Sequence, residues 1–142
     1  MTTQPAFEPL NRLVGIWTTT ATHPALPGVV VHGTTVVEWR EGDRFLIHRG
    51  HTDHPDFPDS ISIIGNTGRL RMHSIDTWGV FRVYDVSIDR AAWRLWRRAP
   101  GYSQRFVGTF ADDGETIDGH WELCEDAVHW NTDMQITYRR RR

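Results

Sequence analysis

The chain contains no lysine, and all 16 of its basic residues are arginine. A lysine Schiff base, a pyridoxal-phosphate aldimine and the lysine of a phosphate-binding P-loop are therefore excluded. Cys124 is the only cysteine, which excludes an internal disulfide, a CxxC redox pair and a cysteine-rich zinc site. The formal net charge of -2 gives no electrostatic reason to expect nucleic acid or an anionic membrane as a partner.

Long apolar runs are also missing. No stretch approaches the length of a membrane-spanning helix, and the opening MTTQPAFEPL lacks the charged and apolar regions of a signal peptide. We therefore predict a cytoplasmic protein that does not enter a membrane. The 142 residues, 39% of them hydrophobic and 24% charged, predict a single globular domain over residues 1–142 that can bury its own core.

Turn signals divide the chain at short intervals. Clusters of Gly, Pro, Asp and Asn lie at residues 23–28, 41–43, 54–59, 66–68, 99–101 and 112–114. Segments rich in β-branched and aromatic residues lie between them and predict strands. The ten predicted strands lie near residues 16–22, 29–39, 44–52, 60–66, 69–77, 80–88, 92–98, 103–111, 115–124 and 129–139.

Residues 5–14 carry Leu10, Leu13 and Val14 at helical spacing and predict one short helix that Gly15 can end. Consecutive strands joined by tight turns most simply form an up-and-down meander, and closing it into a barrel removes the exposed sheet edges. The predicted fold class is therefore all-β, an antiparallel barrel of about ten strands with one short N-terminal helix. Barrels wider than about eight strands tend to enclose a cavity, so we expect a container for a small molecule.

Three motifs resemble those of calycin-type barrels, which include lipocalins, fatty-acid-binding proteins and nitrobindin. The opening Pro9–Trp17 contains a Gly-x-Trp, Gly119–Glu122 is a Gly-x-Trp-Glu, and Thr137–Arg139 closes the last predicted strand as Thr-x-Arg. Residues 54–62 are similar to a segment of bacterial lipocalin-like domains of unknown function. These domains are the group that the chain resembles most. The resemblance implies a calycin-like barrel with a ligand cavity. The arginine block 139–142 is interpreted as a solvated tail.

The resemblance to nitrobindin raises haem binding as a third functional hypothesis, because a histidine of the last strand binds the iron there. Aligning the terminal strands on their closing arginines puts Asp133 near that position. The nearest histidine, His129, lies about 13 Å further along the strand. We therefore expect no haem and no other cofactor.

The resemblance to fatty-acid-binding barrels implies a group that holds a carboxylate. Interior arginines and a tyrosine do this in that family, and guanidinium offers a bidentate fork to an acid. The corresponding candidates are Arg82, Tyr84 and Arg105, which lie among apolar residues on predicted strands. Arginines that face solvent remain the alternative.

Tryptophan is abundant, with seven residues. Its large apolar face and single N–H donor suit the wall of a cavity. Alternation along the last strand puts Trp130 and Met134 on one face together with Ile136 and Tyr138. We predict Trp121, Trp130 and Met134 as further ligand-binding residues.

Histidines and aspartates cluster between residues 48 and 59. Imidazole and carboxylate are ligand types for zinc, iron or nickel, but His48 and His51 fall on opposite faces of a strand. Asp53 and the later aspartates suit the capping of turns. We predict no metal site. If a metal were bound, the first ligands to examine would be His51 and Asp53, which share a strand face.

The leading functional hypothesis is binding of a small hydrophobic ligand, with or without an acidic group, in the barrel cavity. The alternative is a small cavity enzyme of isomerase, cyclase or hydratase type. No residue pattern selects its catalytic residues, although His73, Glu122 or Asp133 could serve as a base. A structural or protein-binding role would instead leave an exposed apolar patch and no cavity. The expected partner is a small hydrophobic molecule, with monomer or homodimer left open.

Overall fold

The computed structural model describes residues 5–40, 42, 44–66 and 69–142, without the side chains of residues 5–7 and 66. The predicted turns at 41–43 and 66–68 lie mostly outside these residues. A 3₁₀-helix, Pro5–Leu13, is followed by ten strands, and each predicted strand end lies within two residues of the observed one. The strands are β1 (Gly15–Thr22), β2 (Val31–Arg40), β3 (Phe45–Thr52), β4 (Ser60–Asn66), β5 (Leu70–Asp76), β6 (Phe81–Ile88), β7 (Ala92–Arg97), β8 (Ser103–Phe110), β9 (Thr116–Cys124) and β10 (Asn131–Arg140).

The sheet closes on itself. Every strand pairs antiparallel with its neighbours in sequence, and β1 also pairs with β10, with Trp17 opposite Arg140 and Thr22 opposite Gln135. The prediction of an all-β up-and-down barrel is confirmed. In the part of the chain that the structure describes, no helix has the length and apolar character needed to cross a membrane.

The N-terminal helix packs against one end of the barrel. Leu10 and Leu13 are fully or almost fully buried, and the backbone carbonyl of Leu13 accepts a hydrogen bond from Trp17 Nε1 at 2.9 Å. The segment is a 3₁₀-helix rather than the α-type helix that its spacing suggested. Pro9 lies inside it, and proline removes a backbone donor that an α-helix would use.

The Gly-x-Trp motif joins this helix to the end of the chain. Gly15 has a φ of +142°, a conformation that favours glycine, and a β-carbon there would lie 2.5 Å from Arg140 Nη1. The Arg140 guanidinium lies over the Trp17 ring, 4.2 Å from its centroid. Arg140 also forms an ion pair with Glu115, with 2.8 Å between Nε and Oε2. The interpretation of 139–142 as a solvated tail is therefore wrong for Arg140, because this side chain closes the helix end of the barrel.

The Gly-x-Trp-Glu motif makes room for an aromatic ring inside the barrel. A β-carbon at Gly119 would lie 2.6 Å from Phe106 Cε1, so only glycine lets the buried Phe106 ring pass across β9 at this point. Phe106 in turn contacts Trp121 and Trp93, with ring centroids 5.0 Å apart in each pair. These aromatic rings form the floor of the interior space above the helix-end core.

The outer surface of β4, β5 and β6 carries exposed apolar side chains. Ile61 is opposite Ile75, and Ile75 is opposite Phe81. These three side chains are 48%, 50% and 61% exposed. The barrel therefore has the exposed apolar patch that a protein-binding role predicts. It also has an internal cavity, whereas the protein-binding hypothesis predicted none. A homodimer stays a prediction.

Candidate ligand-binding site

The interior cavity lies between the aromatic floor and the barrel end opposite the helix. It has a volume of about 240 Å³, and side chains from all ten strands contribute to its wall. The volume corresponds to the share of roughly eight water molecules in the liquid and is below the 300–1,000 Å³ typical of drug-sized ligands. The cavity therefore suits a compact molecule.

The two halves of the cavity wall differ in chemistry. Strands β1 to β5 contribute mostly hydroxyl and small side chains, together with two imidazoles and one carboxylate: Thr19, Thr35, His48, Gly50, His51, Ser60, Ser62, Ser74 and Asp76. Strands β6 to β10 contribute large apolar and aromatic side chains: Tyr84, Trp93, Leu95, Phe106, Trp121, Met134, Ile136 and Tyr138. A ligand that matches both halves has an apolar or aromatic face and a polar edge.

Several polar groups of the wall are satisfied by each other. Ser62 and Ser74 hydroxyls are 3.1 Å apart, and Tyr84 donates its hydroxyl to Gln104 Oε1 at 3.0 Å. Burial raises the pKa of Tyr84, and it also raises the pKa of Tyr138. Both phenols therefore stay protonated at neutral pH and act as neutral hydrogen-bonding groups.

Two polar atoms at the inner end of the wall have no partner. Among the described side chains, His48 Nδ1 and Trp93 Nε1 are buried without a hydrogen bond. Their rings lie side by side, with centroids 6.2 Å apart. Desolvation lowers the pKa of His48 to about 4, so the imidazole is neutral at neutral pH. Burying an unpaired polar atom is unfavourable, so a hydrogen-bond partner for either atom would be stabilising.

A short segment between β3 and β4 covers part of the cavity mouth. Phe57 and Pro58 of this segment line the cavity, and the Phe57 ring meets the rings of His23 and His54 edge to face. Asp59 holds the segment down, because its carboxylate accepts hydrogen bonds from the Thr52 backbone N–H at 3.1 Å and from His51 Nδ1 at 2.9 Å.

His51 is enclosed by two carboxylates. Its Nε2 is 3.2 Å from Asp53 Oδ1, while its Nδ1 is 2.9 Å from Asp59 Oδ1. The pair singled out from the sequence, His51 and Asp53, is therefore brought together with Asp59 as a third member. In the described part of the chain, no group of three or more His, Cys, Asp or Glu side chains could hold a metal ion. His51 therefore links Asp53 and Asp59, which lie at the two ends of the segment between β3 and β4.

We predict that this link depends on pH. The hydrogen bond to Asp59 raises the pKa of His51, and the same bond lowers the pKa of Asp59. The charged His51–Asp59 pair is therefore complete at pH values between the pKa of Asp59 and the pKa of His51. It is lost as the pH rises through the pKa of His51, and it is also lost in acid as the pH falls through the pKa of Asp59.

In an NMR titration, the titration midpoint of His51 should lie above 6.5, and in Asp59→Asn the midpoint should return toward 6.5. Asp56→Asn, in the same exposed segment, is the control and should leave it unchanged. An unshifted midpoint in the wild type would contradict the link.

Three of the six predicted ligand-binding residues line the cavity. Tyr84, Trp121 and Met134 are part of the wall, with Tyr84 and Trp121 in edge-to-face contact at 5.6 Å. Arg82, Arg105 and Trp130 are not. The three predicted residues do not form one interior group: Arg82 lies within hydrogen-bond reach of Tyr84, but Arg105 does not join them.

Alternation and side-chain length explain where the two arginines lie. Gln104 and Phe106 are buried inside the barrel, so Arg105 between them points outward, where its Nε donates to Glu122 Oε1 at 2.8 Å. Arg82 has the same orientation as Tyr84 but lies one residue from the mouth end of β6. Its guanidinium lies 4.9 Å from the centroid of the Tyr102 ring and within hydrogen-bond reach of Tyr84, but Arg82 is not among the residues that line the cavity.

A β-bulge explains Trp130. Thr132 is opposite Glu122, whereas Gln135 is opposite His120, so β10 has one extra residue at this point. The extra residue reverses the alternation, and the expected common face of Trp130 and Met134 is wrong. Trp130 lies outside the barrel under the Arg105 guanidinium, which is 4.0 Å from its ring centroid. Met134 faces the cavity.

The chain's own residues do not fit haem. Asp133, the residue that the sequence alignment put near the expected iron ligand, forms an ion pair with His23, with 2.8 Å between Oδ1 and Nε2. His129 is exposed and its Nδ1 lies 2.5 Å from Asp126 Oδ2. The haem macrocycle is also larger than the cavity.

Sequence reasoning missed His48, Trp93 and Tyr138 as wall residues and Phe57 as part of the cover. A signal existed for His48, because Leu46, His48, Gly50 and Thr52 alternate on one face of β3 and Leu46 is fully buried. No signal in the sequence alone pointed to Phe57, because the backbone path of a proline-rich loop does not follow a periodic pattern.

The fold places this protein in the class of closed antiparallel β-barrels with an internal cavity. No protein-family model and no curated protein matches the sequence. Among solved structures, the crystal structure of Rv2717c from M. tuberculosis is similar, with a TM-score of 0.71 and 14% sequence identity over 99% of this chain and 100% of the other. This likeness establishes the barrel fold over the whole chain. The calycin-type assignment stays a prediction.

Proposed function

We propose that the protein binds a small, uncharged and largely apolar molecule in its barrel cavity. The observation that carries the proposal is the interior space of about 240 Å³ with an aromatic half and a hydroxyl half. Aromatic side chains supply most of the binding energy in such sites, and a few polar groups set the orientation of the ligand. An acidic group is left out, because no arginine is among the residues that line the cavity.

The enzymatic alternative requires an acid or base that is poised near neutral pH and faces the substrate. His51 and Asp76 line the cavity, but His51 is paired with Asp59 and Asp76 accepts hydrogen bonds from the backbone N–H groups of Trp78 and Val80. The ion pair of His23 with Asp133 is not part of the wall. His48 faces the cavity, but its pKa of about 4 makes it a weak base at neutral pH. Binding without chemistry is therefore the function that the geometry supports best.

Filling the cavity tests this proposal. Ala21 is buried in the wall near the mouth, and Ala21→Phe should weaken the binding of naphthalene and indole roughly tenfold or more, about 1.4 kcal/mol. Titration calorimetry measures the binding. Thr20→Phe adds the same ring to the outer face of β1 and should leave the affinity unchanged.

Two outcomes would contradict the proposal. One is that neither probe shows saturable binding at one molecule per chain. The other is that Ala21→Phe and Thr20→Phe bind equally well while both retain the wild-type circular dichroism spectrum.

A further inference from the structure

We propose that His48 and Trp93 together form a recognition site for a single hydroxyl group, so that the ligand is a compact aromatic alcohol of the phenol or naphthol class. This inference rests on the proposed binding function and deepens it. A hydroxyl is the smallest neutral group that can donate to His48 Nδ1 and accept from Trp93 Nε1–H at the same time.

The first support is that neither atom has a hydrogen-bond partner among the neighbouring side chains that the structure describes. The neighbours of His48 across the sheet are Val37 and Ser62. Val37 has no polar side-chain atom, and the Ser62 hydroxyl is hydrogen-bonded to Ser74. Trp93 is packed between Phe106 and Tyr138, with ring centroids 5.0 Å and 6.2 Å away.

The second support is the chemistry of the two groups. A neutral imidazole carries one lone pair and one N–H, whereas an indole carries only an N–H donor. A carboxylate could accept from Trp93 but would place its charge in an apolar wall without a cation. An ether or ketone could accept from Trp93 but has no proton for His48 Nδ1. A hydroxyl satisfies both atoms and brings no charge.

The third support is the shape of the space around the pair. The large apolar side chains Leu95, Phe106, Trp121, Met134 and Ile136 share the cavity with His48 and Trp93. A flat ring that carries a hydroxyl at its inner end would contact these side chains with its faces and the polar pair with its oxygen. One or two fused rings suit a cavity of about 240 Å³, whereas a long-chain fatty acid exceeds it.

Three probes of nearly equal shape test the inference. 2-Naphthol can donate and accept, 2-methoxynaphthalene can only accept, and naphthalene can do neither. The wild type should bind 2-naphthol at least tenfold more tightly than either of the others, as measured by titration calorimetry. In His48→Phe, which keeps a ring in place but removes the acceptor, 2-naphthol affinity should fall about tenfold to that of 2-methoxynaphthalene, because the Trp93 N–H remains, while naphthalene affinity stays the same.

The matched control is His73→Phe. His73 lies on the outer face of β5, exposed, beside Phe81, so this replacement should leave all three affinities unchanged. If His48→Phe does not fold, NMR on the wild type can still test whether the ligand hydroxyl contacts Trp93. The Trp93 indole N–H resonance, assigned by its loss in Trp93→Phe, should move downfield on adding 2-naphthol and should not move with naphthalene.

The outcomes separate this inference from the proposed function. If no probe binds, the proposed function fails and this inference fails with it. If all three probes bind the wild type equally, the cavity binds ligands but the hydroxyl site is wrong, and water is then the partner of the two atoms. If the preference for 2-naphthol persists in folded His48→Phe, His48 is not the acceptor and the inference is overturned.

Discussion

Replacement of Trp17 with alanine is expected to lower the free energy of unfolding by about 4 kcal/mol. Trp17 is only 1% exposed, it meets Tyr138 edge to face with ring centroids 6.4 Å apart, and its indole donates to the helix. Its loss leaves a cavity at the helix end and frees the Leu13 carbonyl. Urea denaturation followed by circular dichroism measures the change.

Trp78→Ala is the matched control for this prediction. Trp78 lies between β5 and β6 and is 63% exposed, so its replacement should change the free energy of unfolding by no more than about 0.5 kcal/mol. A loss below about 1.5 kcal/mol for Trp17→Ala would mean that the helix end is held together by other contacts.

Replacement of Arg140 with alanine is expected to lower the free energy of unfolding by about 3 kcal/mol. Its guanidinium donates to the backbone carbonyls of Arg12, at 3.0 Å, and Val14. It also pairs with Glu115, and both partners are about one quarter exposed. The replacement removes the partners of two carbonyls at the end of the helix and the cation that lies over Trp17. Thermal and urea denaturation measure the loss.

The adjacent Arg139 provides the control, because it is exposed and Arg139→Ala should change stability by less than about 0.5 kcal/mol. Arg140→Lys should recover only part of the loss, since an ammonium has no planar fork for two carbonyls. A double-mutant cycle with Trp17→Ala should show a coupling of about 1 kcal/mol. Strict additivity of the two replacements would indicate that the stacking of Arg140 on Trp17 contributes nothing.

The strands were predictable because their signals are local. Turn residues act within a few positions of where they occur, and the alternation of side chains along a strand repeats every two residues. The closed topology also followed from local facts, since strands joined by tight turns pair with their sequence neighbours and an open meander would leave two edges. The type of the N-terminal helix was not predicted correctly, because Pro9 favours a tighter 3₁₀-helix over the α-helix that the spacing of apolar residues suggested.

The candidate site was only half predictable. Tyr84, Trp121 and Met134 were found from residue type and alternation, but the same argument placed Trp130 inside. The bulge in β10 that moves Trp130 outside comes from the pairing of β10 with β9, which involves residues about ten positions away in sequence. Arg82 shows a further limit, because alternation correctly placed it beside Tyr84 but could not show that, near the end of β6, it stays out of the cavity wall.

The amino-acid sequence by itself determined the all-β class, the number and boundaries of the strands, and the exclusion of lysine and disulfide chemistry. Each of these depends on residue type or on spacing over a few positions. Only the tertiary structure decided which faces line the cavity, that Phe57 covers part of its mouth, that Arg140 closes the helix end, and that His48 and Trp93 are left together without partners. These features arise where strands distant in sequence meet, and burial depends on that meeting rather than on the local pattern.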